Sequence, residues 1–235
     1  MTTEEAFTDI YVNNRWGGAS GTFYSGLGSH ETAVVWPYVA GIKSELERIG
    51  ARSLTVVDLG CGDFSIGRQI APHCQKYIGA DVVKPLVAHN QSMYGNSRVS
   101  FVHADIVADS LPEGDVCVIR QVFQHLSNAE IASVIPKLSR YRWSFITEHH
   151  PSDHRLLLPN SDKPHGGSIR ASARSGVFLE QPPFNVPKER YRLLLELAGT
   201  ALPGGMDPGV IRTFVLENEW HQMAKRQSEG KRKLV

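Results

Sequence analysis

The 235-residue sequence is short of cysteine, of net charge and of long apolar runs, and each shortage excludes something. Its three cysteines, Cys61, Cys74 and Cys117, are odd in number and lack metal-ligand spacing, so neither a disulfide framework nor a zinc module is expected. A reduced, cytoplasmic setting is the simplest account. With 25 Lys and Arg against 24 Asp and Glu, the formal charge is +1, too little for a broad nucleic-acid footprint. No stretch approaches the roughly eighteen apolar residues of a membrane span, so no membrane association is expected. The acidic start, Met1 to Glu5, is followed by no apolar core and does not read as a secretory signal. What remains, 41% hydrophobic and 21% charged, suits one globular domain, residues 1–235, long enough to need no staples.

What is present is organised around residues 54–67, LTVVDLGCGDFSIG. An aliphatic run ends in Asp58, passes through Gly60, Cys61 and Gly62, and continues into a segment able to start a helix: strand, tight turn, helix. Glycines at 60 and 62 permit positive φ and close approach of the backbone to a ligand. About twenty residues on, a second apolar run ends in Asp81, where an acid can bind ribose hydroxyls. A dinucleotide shares that second acid. Its pyrophosphate would lie beside Asp58, which disfavours it, so the expected ligand is a phosphate-free nucleoside carrying an amine.

Asp58, Leu59, Gly60, Cys61 and Gly62, with Asp81 downstream, resemble the first and second motifs of class I S-adenosylmethionine-dependent methyltransferases of the small-molecule type. The resemblance covers roughly residues 54–150. It implies an α/β, doubly wound, mostly parallel seven-stranded sheet of order 3-2-1-4-5-7-6 with helices on both faces. It also implies S-adenosyl-L-methionine as cofactor, leaving as S-adenosyl-L-homocysteine. Val82 follows the second acid into that site. In the family, an acid ending the third strand (VSFVHAD, residues 99–105) bonds the adenine amino group and its neighbour packs on the ring, which assigns those roles to Asp105 and Ile106. Asp105 is otherwise an ordinary turn acid. The fourth strand, residues 115–120, is followed by QVFQHL, similar to a family string closing in His-Leu. Arg120 and Gln121 lie where the methionine carboxylate is expected.

The flanks are less regular. Residues 1–30 interleave Tyr11, Trp16, Phe23 and Tyr24 with glycines and show little helical or strand period. They read as an ordered lid in which Tyr11, Trp16 or Tyr24, Trp16 first, closes over a sulfonium, or as rings that merely pack the segment down. Residues 29–49 repeat apolar positions at three and four, an amphipathic helix despite Pro37. A fifth strand, 141–150, ends in Glu148, His149 and His150. Residues 151–187 are rich in proline and glycine and read as an inserted loop covering the substrate. Segments 189–197 and 210–216 suggest a closing antiparallel hairpin, although the first also favours helix. The basic tail, 225–233, reads as a solvated end.

Methyl transfer asks the protein to align an acceptor and remove its proton. His149 is the first candidate base and His125 the second, with Glu148 as an orienting acceptor; His125 is equally readable as a structural histidine. Histidines at 149, 150, 154 and 165 invite a metal reading. Pro151 keeps His150 and His154 off one helix face, no paired acids follow the fourth strand, and no metal is expected. Asn160, Asp162, Lys163, Arg170 and Arg174 lie in the cover, where arginine forks suit an anionic acceptor. The expected reaction is therefore methylation of an O or N atom of a small polar metabolite, sugar-like or anionic. RNA or protein methylation, aminopropyl transfer and non-catalytic binding of the cofactor are the alternatives; a homodimer is compatible with the sequence.

Overall fold

The computed structural model describes residues 1–152, 158–199 and 208–218. Seven strands form one sheet in the order β3-β2-β1-β4-β5-β7-β6, as expected. They are β1 (Thr55–Leu59), β2 (Lys76–Asp81), β3 (Val99–His103), β4 (Val116–Arg120), β5 (Trp143–His150), β6 (Tyr191–Ala198) and β7 (Val210–Glu217). The first five run parallel, and β7 lies antiparallel between β5 and β6. The order turns back between β1 and β4, and that switch point leaves a crevice beyond the carboxyl ends of the strands.

Alternation along the central strands divides the core. Val57, Leu59, Cys117 and Ile119 belong to one apolar cluster, and Val56, Val116 and Val118 to the other. The first is closed by α1 (Thr3–Val12) and α5 (Asn128–Val134). On the opposite face lie α2 (Thr32–Arg48) and α3 (Gly67–Ile70). Helix α4 (Lys84–Tyr94) gives Leu86 to one cluster and Val87 to the other.

Two segments depart from the sequence reading. The N-terminal thirty residues are not aperiodic, because they contain α1. Thr2 and Glu5 form a reciprocal capping box, and Ala6, Phe7, Ile10 and Tyr11 make a buried stripe. The ambiguous 189–197 segment is strand from Tyr191 on: pairing with β7 overrides its helix-favouring Leu and Glu. Between β5 and β6 the described residues hold only short 3-10 turns, such as Arg170–Ala173 and Lys188–Arg190. Among the described residues, no helix is long and apolar enough to cross a membrane. The basic tail, and Asp153 and His154, lie outside the described residues.

Candidate active site

The bend after β1 is held from several directions. Gly60 and Gly62 adopt φ of 76° and 55°, and a Cβ on Gly60 would stand 2.5 Å from Val122 Cγ2. Only glycine fits such a bend without strain. Asp81 accepts the Gly62 N–H at 3.0 Å through one oxygen and the Val83 N–H at 3.0 Å through the other. Asn90 donates to Gly62 O at 2.7 Å. The second acid thus ties the end of β2 to the glycine bend as well as facing the crevice.

Asp58 is buried and accepts a hydrogen bond from Tyr77 Oη. Burial pushes its carboxyl up to about 6, and that single hydrogen bond does not offset the effect. Asp81 is pushed up too, chiefly by burial. At the end of β3, Asp105 accepts from the Val107 N–H and from Thr3 Oγ1, each at 2.8 Å. Arg120 donates to Gly28 O at 2.5 Å and Ser29 Oγ at 3.2 Å, with its guanidinium 4.9 Å from the centre of the Tyr38 ring. Gln121 takes a positive φ of 56°, secured by its N–H to Thr147 O at 2.7 Å.

These groups surround one cavity of about 420 Å³. It is lined by every residue expected to hold the cofactor: Trp16, Asp58, Gly60, Cys61, Gly62, Asp81, Val82, Asp105, Ile106, Arg120 and Gln121. Helix α1 runs along it from Asp105, which Thr3 bonds, to the glycine bend, where Tyr11 Oη meets Ser25 Oγ at 2.8 Å. Trp16 lies 5.0 Å from the His125 ring and donates to Gly167 O at 3.2 Å. Tyr24 lies outside the lining, stacked on His30 at 4.2 Å. The site suits a cationic nucleoside: four carboxylates, Asp58, Asp63, Asp81 and Asp105, face it, and Arg120 Nε is buried with no partner among the described residues.

A family profile described as a methyltransferase domain matches residues 56–141. Uncharacterized methyltransferases of Mycobacterium bovis and Mycobacterium tuberculosis are 27% identical over 79 residues, 33% of this chain and 40% of theirs. Magnesium protoporphyrin IX methyltransferase from Synechocystis, crystallised with S-adenosylhomocysteine, superposes with a TM-score of 0.57 at 16% identity, covering 90% of this chain and 98% of that one. Human N-acetylserotonin methyltransferase with S-adenosylmethionine superposes at 0.54 and 13% identity, covering 92% and 60%. Residues 56–141 thus match a methyltransferase domain, and the chain shares the fold of these S-adenosylmethionine-dependent methyltransferases. At these identities the structural likenesses establish the fold.

The candidate bases sit differently from one another. His125 and His149 both line the cavity. His149 directs Nε2 to Pro208 O at 2.6 Å. Glu148 lies outside the lining: its oxygens accept the Phe123 N–H at 2.9 Å and the Gln124 N–H at 3.0 Å, and burial pushes it up to about 8. It anchors the turn Phe123–His125 through the main chain and touches no imidazole in that role. His150 is buried against Val177 O.

Two polar residues of the cover, Arg170 and Asn160, turn out to be internal struts. Arg170 is buried and donates to Ser161 O and Leu126 O, and Asn160 donates to Phe178 O and Pro182 O. Asp162 accepts the Asn128 N–H, and Lys163 donates to His125 O. Arg174 is exposed. From the described part of the cover, only Gly167 and Ile169 line the cavity. Among the described residues no group of three or more His, Cys, Asp or Glu could hold a metal. Residues that sequence reasoning missed are Thr3, Phe7 and Gln124; the T-x-x-E signature at Thr2 and Glu5 could have placed the first two on a helix.

Proposed function

We propose that this protein transfers a methyl group from S-adenosylmethionine to an N or O atom of a small polar metabolite. The observation that carries the reading is the convergence of Asp58, Gly60, Gly62, Asp81 and Asp105 on one cavity at the carboxyl ends of β1 to β3. When bound, the cofactor supplies a methyl carbon already activated by its sulfonium. Asp81 would hold the ribose, Asp105 and Ile106 the adenine, and Asp58 the cationic amino-acid end, with Arg120 and Gln121 beside its carboxylate. Phe7, Tyr11 and Trp16 place aromatic surface over the site and exclude water from it.

His125 is the favoured proton acceptor. Its Nδ1 faces Gly166 O at 3.2 Å, an atom that only accepts, so the ring proton resides there and Nε2 keeps a lone pair. Glu148 positions it by fixing the turn that carries it. His149, on the neighbouring strand end, is the second candidate.

Isothermal calorimetry with S-adenosylhomocysteine tests the cofactor assignment. Wild-type protein binds it, Asp81→Ala does not, and Asp81→Asn, which retains one acceptor oxygen for the Gly62 N–H, shows weakened but measurable binding. A wild-type protein without affinity for S-adenosylhomocysteine ends the proposal.

A further inference from the structure

Helix α1 presents one file of side chains to the cavity: Thr3, Phe7 and Tyr11, each four residues from the next. That spacing keeps them on one helix face and spreads them along about 12 Å of cavity wall, at about 1.5 Å per residue. Other groups dock the helix. Thr2 and Glu5 make its capping box, Glu4 pairs with Lys84 at 2.8 Å and with His103 at 3.3 Å, and Ala6, Phe7, Ile10 and Tyr11 are buried. The Thr3 hydroxyl is turned instead to Asp105, the acid just past the end of β3.

The main chain at Asp105 is fixed from behind. Its N–H donates to Asp109 Oδ2 at 2.9 Å and its carbonyl accepts the Asp109 N–H at 2.8 Å. Lys137 Nζ donates to the Ile106, Val107 and Asp109 carbonyls at 2.9, 2.7 and 2.9 Å. Two donors then set the carboxyl group: the Val107 N–H on Oδ1 and the Thr3 hydroxyl on Oδ2, each at 2.8 Å. A carboxylate only accepts, so the shared proton is the one on Thr3, and lone pairs remain on both oxygens for a further donor. Asp105 and Thr3 both line the cavity, and both are partly exposed.

Resting on the assignment of the adenine to Asp105 given above, we propose that Thr3 is a positioning residue for cofactor recognition: its hydroxyl holds Asp105 as a fixed acceptor, through which the site selects a purine carrying a 6-amino group. That amino group supplies N–H donors to the lone pairs that Val107 and Thr3 leave open. A purine lacking it leaves them unanswered. With Val107 alone the carboxyl can swing about Oδ1, because the terminal torsion of an aspartate is soft, and the amino group then gains less from it. Thr3 stands 102 residues from Asp105, so a helix outside the strand-end motifs sets how sharply the base is read.

The test compares, by calorimetry, S-adenosylhomocysteine with its analogue in which hydrogen replaces the 6-amino group. Wild-type protein binds the parent about 10- to 100-fold more tightly, the range for one hydrogen bond to a charged group. Thr3→Val keeps the shape of the side chain and removes the hydroxyl. It weakens S-adenosylhomocysteine about three- to ten-fold and leaves the analogue within about twofold of wild type, and Thr3→Ser restores the preference. Thr3→Ala carries the same expectation should Thr3→Val fail to fold. Equal weakening of both ligands, the result of loosened helix docking alone, overturns the inference, as does an unchanged preference in Thr3→Val. A wild-type protein that binds S-adenosylhomocysteine without preferring it to the analogue sinks this inference and spares the cofactor assignment. Absence of S-adenosylhomocysteine binding sinks both.

Discussion

Asp58 is a carboxylate that the fold holds at a cost, and its replacement exposes the size of that cost. Its folded value of about 6 stands against an ordinary 3.8. The folded chain therefore keeps its proton to higher pH than the unfolded chain, and stability falls as pH rises from about 4 to about 6, then levels off. The gap of about 2 pH units corresponds to about 3 kcal/mol as a ceiling, at 1.36 kcal/mol per unit. Asp58→Asn removes the titration while its amide oxygen still accepts from Tyr77 Oη. At pH 8 the cofactor-free variant is expected to be more stable than wild type by about 1–3 kcal/mol, a rise of roughly 3–10 °C in Tm for a chain of this size. At pH 4 the difference closes, because wild-type Asp58 is then protonated. The same variant binds S-adenosylhomocysteine about 10- to 100-fold more weakly, the usual range for losing one charge-assisted hydrogen bond. Differential scanning calorimetry at the two pH values and a binding titration read both effects. A variant no more stable than wild type at pH 8, with the difference independent of pH, would refute the reasoning. Glu148, raised to about 8, adds its own pH dependence equally to both proteins and drops out of the comparison.

Gly60→Ala sets a Cβ at positive φ against Val122, which costs roughly 1–2 kcal/mol in backbone strain alone; lowered Tm with loss of S-adenosylhomocysteine binding in calorimetry is the expected result. Glu148→Ala leaves the buried Phe123 and Gln124 N–H groups without their acceptor and is expected to lose about 2–6 kcal/mol in urea unfolding, whereas Glu148→Gln, keeping one acceptor oxygen, loses less.

Much of the fold was written locally. Glycines at 60 and 62 mark a positive-φ bend, and acids at 58, 81 and 105 end three apolar runs, so strand ends and ligand-facing residues coincide along the sequence. The near-continuous apolar run of the fourth strand likewise announces two buried faces. Helix α1 was obscured because its stripe is short and runs straight into glycines, although its capping box was legible. Arg170 and Asn160 read as acceptor-facing groups of the cover because nothing near them in sequence shows that each becomes a buried strut.

The sequence by itself determined the end of the cavity built on the glycine bend, since a bend, its glycines and the acids that follow strands are short-range features dictated by backbone sterics. Only the tertiary structure decided the end walled by Trp16, His125 and Gly167. Glu148 meets the 123–124 backbone across 24 and 25 residues, Trp16 meets Gly167 across 151, and His125 gains its tautomer from Gly166, 41 residues away. Which polar atoms remain unpartnered in a cavity depends on such long-range partners, and the order of residues along the chain does not record them.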